Sequence, residues 1–262
     1  MGYIVSMTVN AYPYAGKTVL VTGGGTGIGR AIAEAFLDNG ANVAISGRRR
    51  DKLDDVLTGH PEERTLAVEA DVTDDESATS MVAAVVERFG ALDVLVNNAA
   101  AYVSGPFDDL TLDAWESIRS TNIDGFVHVV RHSLPELEKS GGNVVVVGSV
   151  SGMRGDWAQA AYNATKAAIM NFVQSLALDY GPRGIRFNAV APALTITDLT
   201  RSIEDDEAAL EAAVNRIALG RPGRPADIAP AVLFLASPDA GYITGAWLPV
   251  DGGTSASTGQ AH

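Results

Sequence analysis

A serine, a tyrosine and a lysine stand close together in the middle of the chain: Ser149, Tyr162 and Lys166. The last two are four residues apart in a helix-patterned stretch, which puts a phenol and an ammonium on one helix face. Ser149 follows the apolar run 143–148, which reads as a buried strand. Three such groups at a strand end suit proton transfer to or from a carbonyl or alcohol. The serine can hydrogen-bond the substrate oxygen and the tyrosine can exchange a proton with it. A neighbouring ammonium lowers the phenol pKa from about 10 toward neutrality. A Tyr–Lys pair at this spacing also occurs on helices that do no chemistry, so the reading depends on the rest of the chain.

A second constellation lies near the N-terminus. A short apolar run leads into Thr22-Gly23-Gly24-Gly25-Thr26-Gly27-Ile28-Gly29 and then a helical pattern. A glycine-rich turn at a helix N-terminus offers bare backbone N–H groups and a positive dipole end, which suits a pyrophosphate. The spacing is G-x-x-x-G-x-G at Gly23, Gly27 and Gly29, not G-x-G-x-x-G. The second strand run ends in Ser46-Gly47-Arg48-Arg49-Arg50, where a dinucleotide site commonly has a carboxylate for the adenosine ribose. A guanidinium there can clamp a 2′-phosphate. This favours NADP(H) over NAD(H), with Arg48 as the principal contact and Ser46 or Arg49 assisting. A solvated helix start is the alternative, although basic residues oppose the dipole at that end.

The elements that must position these groups alternate along the chain. Strand patterns cover 17–22, 42–46, 64–70, 92–96, 143–148, 185–190 and 247–250. Helical patterns cover 28–39, 51–58, 74–89, 112–139, 158–180 and 226–235, the fourth interrupted or ended near Pro135. Near-continuous apolar strands alternating with helices imply a parallel sheet covered on both faces, in one α/β domain. Pro230 costs a hydrogen bond unless its helix starts late.

Composition narrows the chemistry. The 262 residues suffice for one large domain. The net charge of -13 argues against nucleic-acid or anionic-membrane partners. Without cysteine there are no disulfides and no thiolate catalysis. His60, His128, His132 and His262 form no zinc motif, so no metal is expected. No apolar run is long enough to span a bilayer, and residues 1–15 lack the features of a signal peptide. They read as a loosely held extension to the domain at 16–262, and a reducing, cytoplasmic compartment is expected.

Together these motifs resemble the short-chain dehydrogenase/reductase family, in its compact single-domain subclass. The resemblance runs from about residue 17 to 253. It includes Asp71-Val72, Asn97-Asn98-Ala99, Asn122, Arg186-Phe187-Asn188-Ala189-Val190-Ala191-Pro192 and Asp251-Gly252-Gly253. It implies a doubly wound parallel sheet (a Rossmann fold) of seven strands in the order 3-2-1-4-5-6-7. Tyr162 would be the acid in reduction and the base in oxidation, with Ser149 on the substrate oxygen. Lys166 would lower the tyrosine pKa and hold the nicotinamide ribose, and Asn122 would anchor a relay water. Thr26 and Ile28 belong to the phosphate loop. Asp71 and Val72 would bracket the adenine, with Asn98 and Ala99 helping to hold the cofactor. Pro192, Thr195 and Thr197 would meet the nicotinamide side. Bland roles remain open for Asn122 and Asp71. The family also implies a homotetramer and a substrate lid over 194–221. The acidic run at 204–207 inside the lid reads better as a helix start than as a substrate contact.

Three positions depart from the family pattern: Ala100 and Ala193 replace glycines common in the family, and Thr26 stands where NADP-preferring members often have a basic residue. The substrate is a small-molecule carbonyl or alcohol. Tyr102, Val103, Met153, Arg154, Trp157 and 194–199 would line its pocket. The resulting reading is NADP(H)-dependent ketone reduction. An NAD-dependent alcohol, polyol or sugar dehydrogenase is the alternative within the family, and a non-catalytic NADP(H)-binding regulator the alternative outside it.

Overall fold

Seven apolar runs pair in parallel as β1 (Thr18–Thr22), β2 (Asn42–Gly47), β3 (Thr65–Glu69), β4 (Val94–Asn97), β5 (Asn143–Val147), β6 (Arg186–Pro192) and β7 (Trp247–Val250). The computed structural model describes residues 12–198 and 200–256. Residues 1–11 of the expected extension, Leu199 in the expected lid and 257–262 lie outside the described residues. The sheet order is β3-β2-β1-β4-β5-β6-β7, as the resemblance implied. Between the strands run α1 (Gly27–Asp38), α2 (Arg50–Leu57), α3 (Asp75–Phe89), α4 (Leu112–Arg119), α5 (Gly125–Ser140), α6 (Ala160–Tyr180), α7 (Glu207–Val214) and α8 (Pro225–Ala236).

Alternation along each strand sends side chains to two separate cores. Val19, Val21, Ile45, Val96 and Val145 pack on one face with Ile32 and Phe36 of α1 and Val232 of α8. Leu20, Leu95, Val144, Val146 and Phe187 pack on the other with α3, α5 and α6. Both faces are covered, so the strands are apolar throughout. After β3 the chain passes back over β1 to β4, and connections diverge to either side at that point. The crevice at the carboxyl ends of β1 and β4 follows from this reversal.

The helix expected over 112–139 is broken, but not at Pro135. The break is a π turn at Ser120–Asp124, between α4 and α5. The wider turn carries Asn122, which is buried. Pro135 lies inside α5, on its exposed side. Pro230 is likewise exposed inside α8, which starts at Pro225 and not late. The acidic run opens α7: the Asp206 carboxylate accepts from the Ala209 N–H at 3.0 Å.

The segment before β1 is not loose where it is described. Tyr14 is 3% exposed and packs edge-on against Phe36, with ring centroids 4.8 Å apart. Its hydroxyl donates to the Leu233 carbonyl at 2.5 Å. The folded unit therefore begins before residue 16.

The polar residues of β6 clamp the connection into β7. Asn188 is fully buried; its Nδ2 donates to the Ile243 carbonyl at 2.8 Å and its Oδ1 accepts from the Ala246 N–H at 3.1 Å. Asn188→Ala strands both backbone groups in the interior. We expect a loss of about 2–3 kcal/mol, read as a lower urea midpoint.

Candidate active site

The glycine turn is held by a clasp between the ends of β1 and β4. The Asn98 amide nitrogen donates to the carbonyls of Thr22 (2.9 Å) and Gly23 (3.1 Å). In return the buried Thr22 hydroxyl accepts from the N–H groups of Asn98 and Ala99, both at 3.0 Å. Asn98 thus acts on the loop itself. Gly29 lies under the turn, where a Cβ would come within 2.2 Å of the Gly23 carbonyl oxygen. Only glycine permits this approach of α1 to the turn.

Above the turn lies a cleft of about 450 Å³. Gly23, Thr26, Gly27 and Ile28 form its floor, Ser46, Arg48 and Arg49 one end, and Asp71, Val72, Asn98, Ala99 and Thr197 its sides. Pro192 and Thr195 are buried behind it rather than lining it. Thr195 donates to the Ala193 carbonyl at 3.0 Å and forms a β-bridge with Gly223, which pins the base of the segment 194–223. Asp71 is partly committed to its own turn, accepting from the N–H (3.0 Å) and hydroxyl (2.9 Å) of Thr73. Ala100 and Ala193 both keep negative φ, so replacing glycine strains neither.

The three arginines separate. Arg50 opens α2 and pairs with Asp54 at 2.8 Å. Arg48 and Arg49 are exposed at the cleft, and no salt bridge engages them among the described residues. The Ser46 hydroxyl beside them is buried without a hydrogen-bond partner. Lys52 adds a third cation to this end. It was overlooked because it reads as an ordinary residue of α2.

The chemical end lies at the carboxyl edge of β5. Ser149 is buried just past the strand. Tyr162 and Lys166 project from the first two turns of α6, with the Lys166 ammonium 5.7 Å from the Tyr162 ring centroid. Lys166 is 4% exposed, and its Nζ donates to the Val147 carbonyl at 3.0 Å. Asn122 reaches the same region. Its side chain accepts from the Ala101 N–H (2.7 Å) and donates to the Ala101 carbonyl and the Thr165 hydroxyl, both at 3.0 Å. Tyr102 meets Tyr162 edge-on at 5.1 Å between centroids.

Burial acts on the two titrating groups in opposite senses. The Tyr162 phenol is pushed up to about 12 by desolvation; the hydrogen bond with Ser149 pulls it down, and Tyr102 and Asp156 push it further up. Lys166 is pulled down to about 8 by burial alone. Burial is thus the largest cause acting on both groups.

The residues expected around the substrate differ in exposure: Trp157 is 91% exposed, Arg154 is exposed and Met153 is half-buried. The reason is local. Ala158 has φ 56°, and its carbonyl accepts from the Gly105 N–H at 2.8 Å, so the chain turns before α6 and starts it at Ala160 rather than at 158. Trp157 is left on the outside. A cavity of about 260 Å³ lies between 103–114 and 158–161, and Val103, one of the residues expected around the substrate, is part of its wall.

A family model described as enoyl-(acyl carrier protein) reductase matches residues 23–255. The chain is 40% identical over 244 residues to meso-2,3-butanediol dehydrogenase of Serratia marcescens, covering 93% of this chain and 96% of that one. It is 39% identical to glucose 1-dehydrogenase of Gluconobacter oxydans, covering 92% of each. Among solved structures, a short-chain dehydrogenase/reductase described as glucose/ribitol dehydrogenase from Brucella melitensis superposes with a TM-score of 0.88. It shares 32% identity, over 93% of this chain and 98% of that one.

Lys166 gives the site a signature in stability. Its folded pKa of about 8 lies below the unfolded value of 10.5. Between these values the unfolded chain binds more protons, so Lys166 adds stability as pH rises through that window. Lys166→Met removes the effect. The urea midpoint of wild type should therefore gain on that of the variant between pH 8 and 10.5.

Proposed function

The chain belongs to the short-chain dehydrogenase/reductase family of oxidoreductases, and we propose that it transfers a hydride between NADP(H) and a small carbonyl/alcohol substrate, chiefly as ketone reduction. The observation that carries this reading is the convergence of Ser149, Tyr162 and Lys166 at the end of β5, beside the glycine-floored cleft. The cleft residues suit the cofactor. The turn under the floor tolerates no Cβ at Gly29, Ser46 has a buried hydroxyl in need of a partner, and Arg48 and Arg49 offer cations for a 2′-phosphate. Bound NADPH supplies the hydride.

The chain's own residues manage the oxygen. Ser149 donates a hydrogen bond to the substrate oxygen, and Tyr162 gives it a proton as negative charge develops there. These interactions strengthen toward the transition state, which is how they raise the rate. Lys166 holds the nicotinamide ribose, and Asn122 keeps the 101–102 backbone in register with α6 through Thr165. Burial keeps the phenol protonated at neutral pH, which is the form that reduction needs. Oxidation of a polyol or sugar with NAD is the second reading, favoured by the names of the butanediol and glucose dehydrogenases.

Assembly as a homotetramer is supported by the apolar surface of α4 and α6, where Leu112 is 83% and Leu178 79% exposed. Sedimentation equilibrium should give four times the 27.3 kDa chain mass; a monomer mass contradicts this.

Activity is tested by nicotinamide absorbance with NADPH and NADH against a panel of ketones (diacetyl and acetoin included), aldehydes and acyl thioesters. Tyr162→Phe should lower kcat by about 10²–10⁴-fold. Arg48→Ala should reduce the preference for NADPH over NADH by about tenfold or more. Wild type that prefers NADH overturns the assignment of Arg48.

A further inference from the structure

Ser149 and Tyr162 come from different elements, the end of β5 and the first turn of α6. The chain between them, 150–161, is largely at the surface. One residue ties this excursion at both ends. The Asp156 carboxylate accepts from the Ser151 hydroxyl at 2.6 Å. The backbone N–H of Ser151, itself buried, donates to the Ser149 hydroxyl oxygen at 3.1 Å. On its other side, the Asp156 N–H meets the side chain of Asn163, the neighbour of Tyr162. With its amide turned so that both ends find partners, Asn163 accepts from Asp156 at 2.7 Å and donates to the Gln159 carbonyl at 3.2 Å.

We propose that Asp156, acting through Ser151, is a positioning residue: it fixes the Ser149 hydroxyl against Tyr162 and lays a fixed negative charge beside the phenol. The proposal rests on the reading of Tyr162 as the proton donor.

Two physical consequences follow. An N–H donating to the Ser149 oxygen occupies a lone pair, so the serine proton is directed elsewhere, toward the phenol or the substrate oxygen. The turn that carries this N–H is held by Gly152 N–H to the Ser149 carbonyl (3.0 Å) and Met153 N–H to the Val150 carbonyl (2.9 Å), and Asp156 adds the side-chain anchor through the Ser151 hydroxyl. The second consequence is electrostatic. No salt bridge engages Asp156 among the described residues, so its charge is not cancelled locally. The groups acting on the phenol are Ser149 from the β5 end, Tyr102 from the loop after β4 and Asp156 from the excursion, while the Lys166 ammonium of α6 faces the ring at 5.7 Å. Of these, Asp156 brings a negative charge, which opposes phenolate and keeps Tyr162 a donor.

The test compares Asp156→Asn, Ser151→Ala, Ser151→Thr and Tyr162→Phe. It measures kcat and KM against pH for reduction of diacetyl by NADPH, or of the fastest member of the panel above. Asp156→Asn keeps an acceptor for Ser151 but removes the charge. The alkaline fall in the reduction rate should then move to lower pH. Ser151→Ala should lower kcat about tenfold with little change in KM, and Ser151→Thr, which restores a hydroxyl, should recover most of it. A purely structural role would lower the melting temperature of these variants and leave the pH profile where it was. An Asp156→Asn profile superimposed on wild type, or wild-type kcat in Ser151→Ala, overturns the proposal. If Tyr162→Phe is inactive in the same assay, that failure belongs to Asp156 alone. If Tyr162→Phe stays active, the reading of Tyr162 falls and this proposal with it.

Discussion

A lysine buried without a carboxylate is the constraint around which the site is built. Among the described residues Lys166 has one hydrogen-bond partner, the Val147 carbonyl, and it sits in surroundings that penalise its charge. Such an ammonium is unfavourable in any packed interior. Keeping it there requires the end of β5 and the start of α6 to approach closely. Gly152 shows how closely: a Cβ at that position would lie 2.9 Å from the Lys166 carbonyl and 2.7 Å from the Met170 sulfur. The turn that presents Ser149 thus lies directly on the helix that presents Tyr162 and Lys166. The dryness that shifts both titrating groups comes from the same contact.

Sheet topology supplies the second half of the site. Reversal of strand order between β1 and β4 opens a crevice at their carboxyl ends, and the Thr22–Asn98 clasp fixes the glycine turn at its rim. The adjacent pairing of β4 with β5 then brings Ser149, just past the end of β5, alongside that crevice. Asn122 completes the link. The π turn swings it inward, where it ties the backbone beyond β4 to Thr165 of α6. The cleft and the Ser149–Tyr162–Lys166 cluster are joined by hydrogen bonds from the side chains of Thr22, Asn98 and Asn122.

Much of this was legible in the residues. The glycine turn, the arginines after β2 and the Ser149, Tyr162, Lys166 set are identified by residue type and local spacing, and alternation of apolar strands with helices fixed the fold class. What stayed hidden depended on distant contacts. The position of Trp157 is decided by the left-handed Ala158 and its bond to Gly105, more than fifty residues earlier in the chain. The hold on Tyr14 comes from Leu233, and no local pattern announces it. The π turn leaves the apolar pattern nearly intact, so Pro135 drew attention to the wrong place. Spacing shows that Tyr162 and Lys166 are neighbours, and packing adds the burial that acts on both.

The central claim is that burial, not the charge of Lys166, sets the phenol of Tyr162 in the protein without ligand. It is tested most directly by ultraviolet difference titration, subtracting Tyr162→Phe from wild type and following phenolate absorbance against pH. The account predicts no ionisation of Tyr162 near neutrality and an onset only well above pH 10, toward the value of about 12. A phenolate appearing between about pH 7 and 8, below the ordinary tyrosine range, would show that Lys166 remains charged and dominates its neighbour, and would contradict the account.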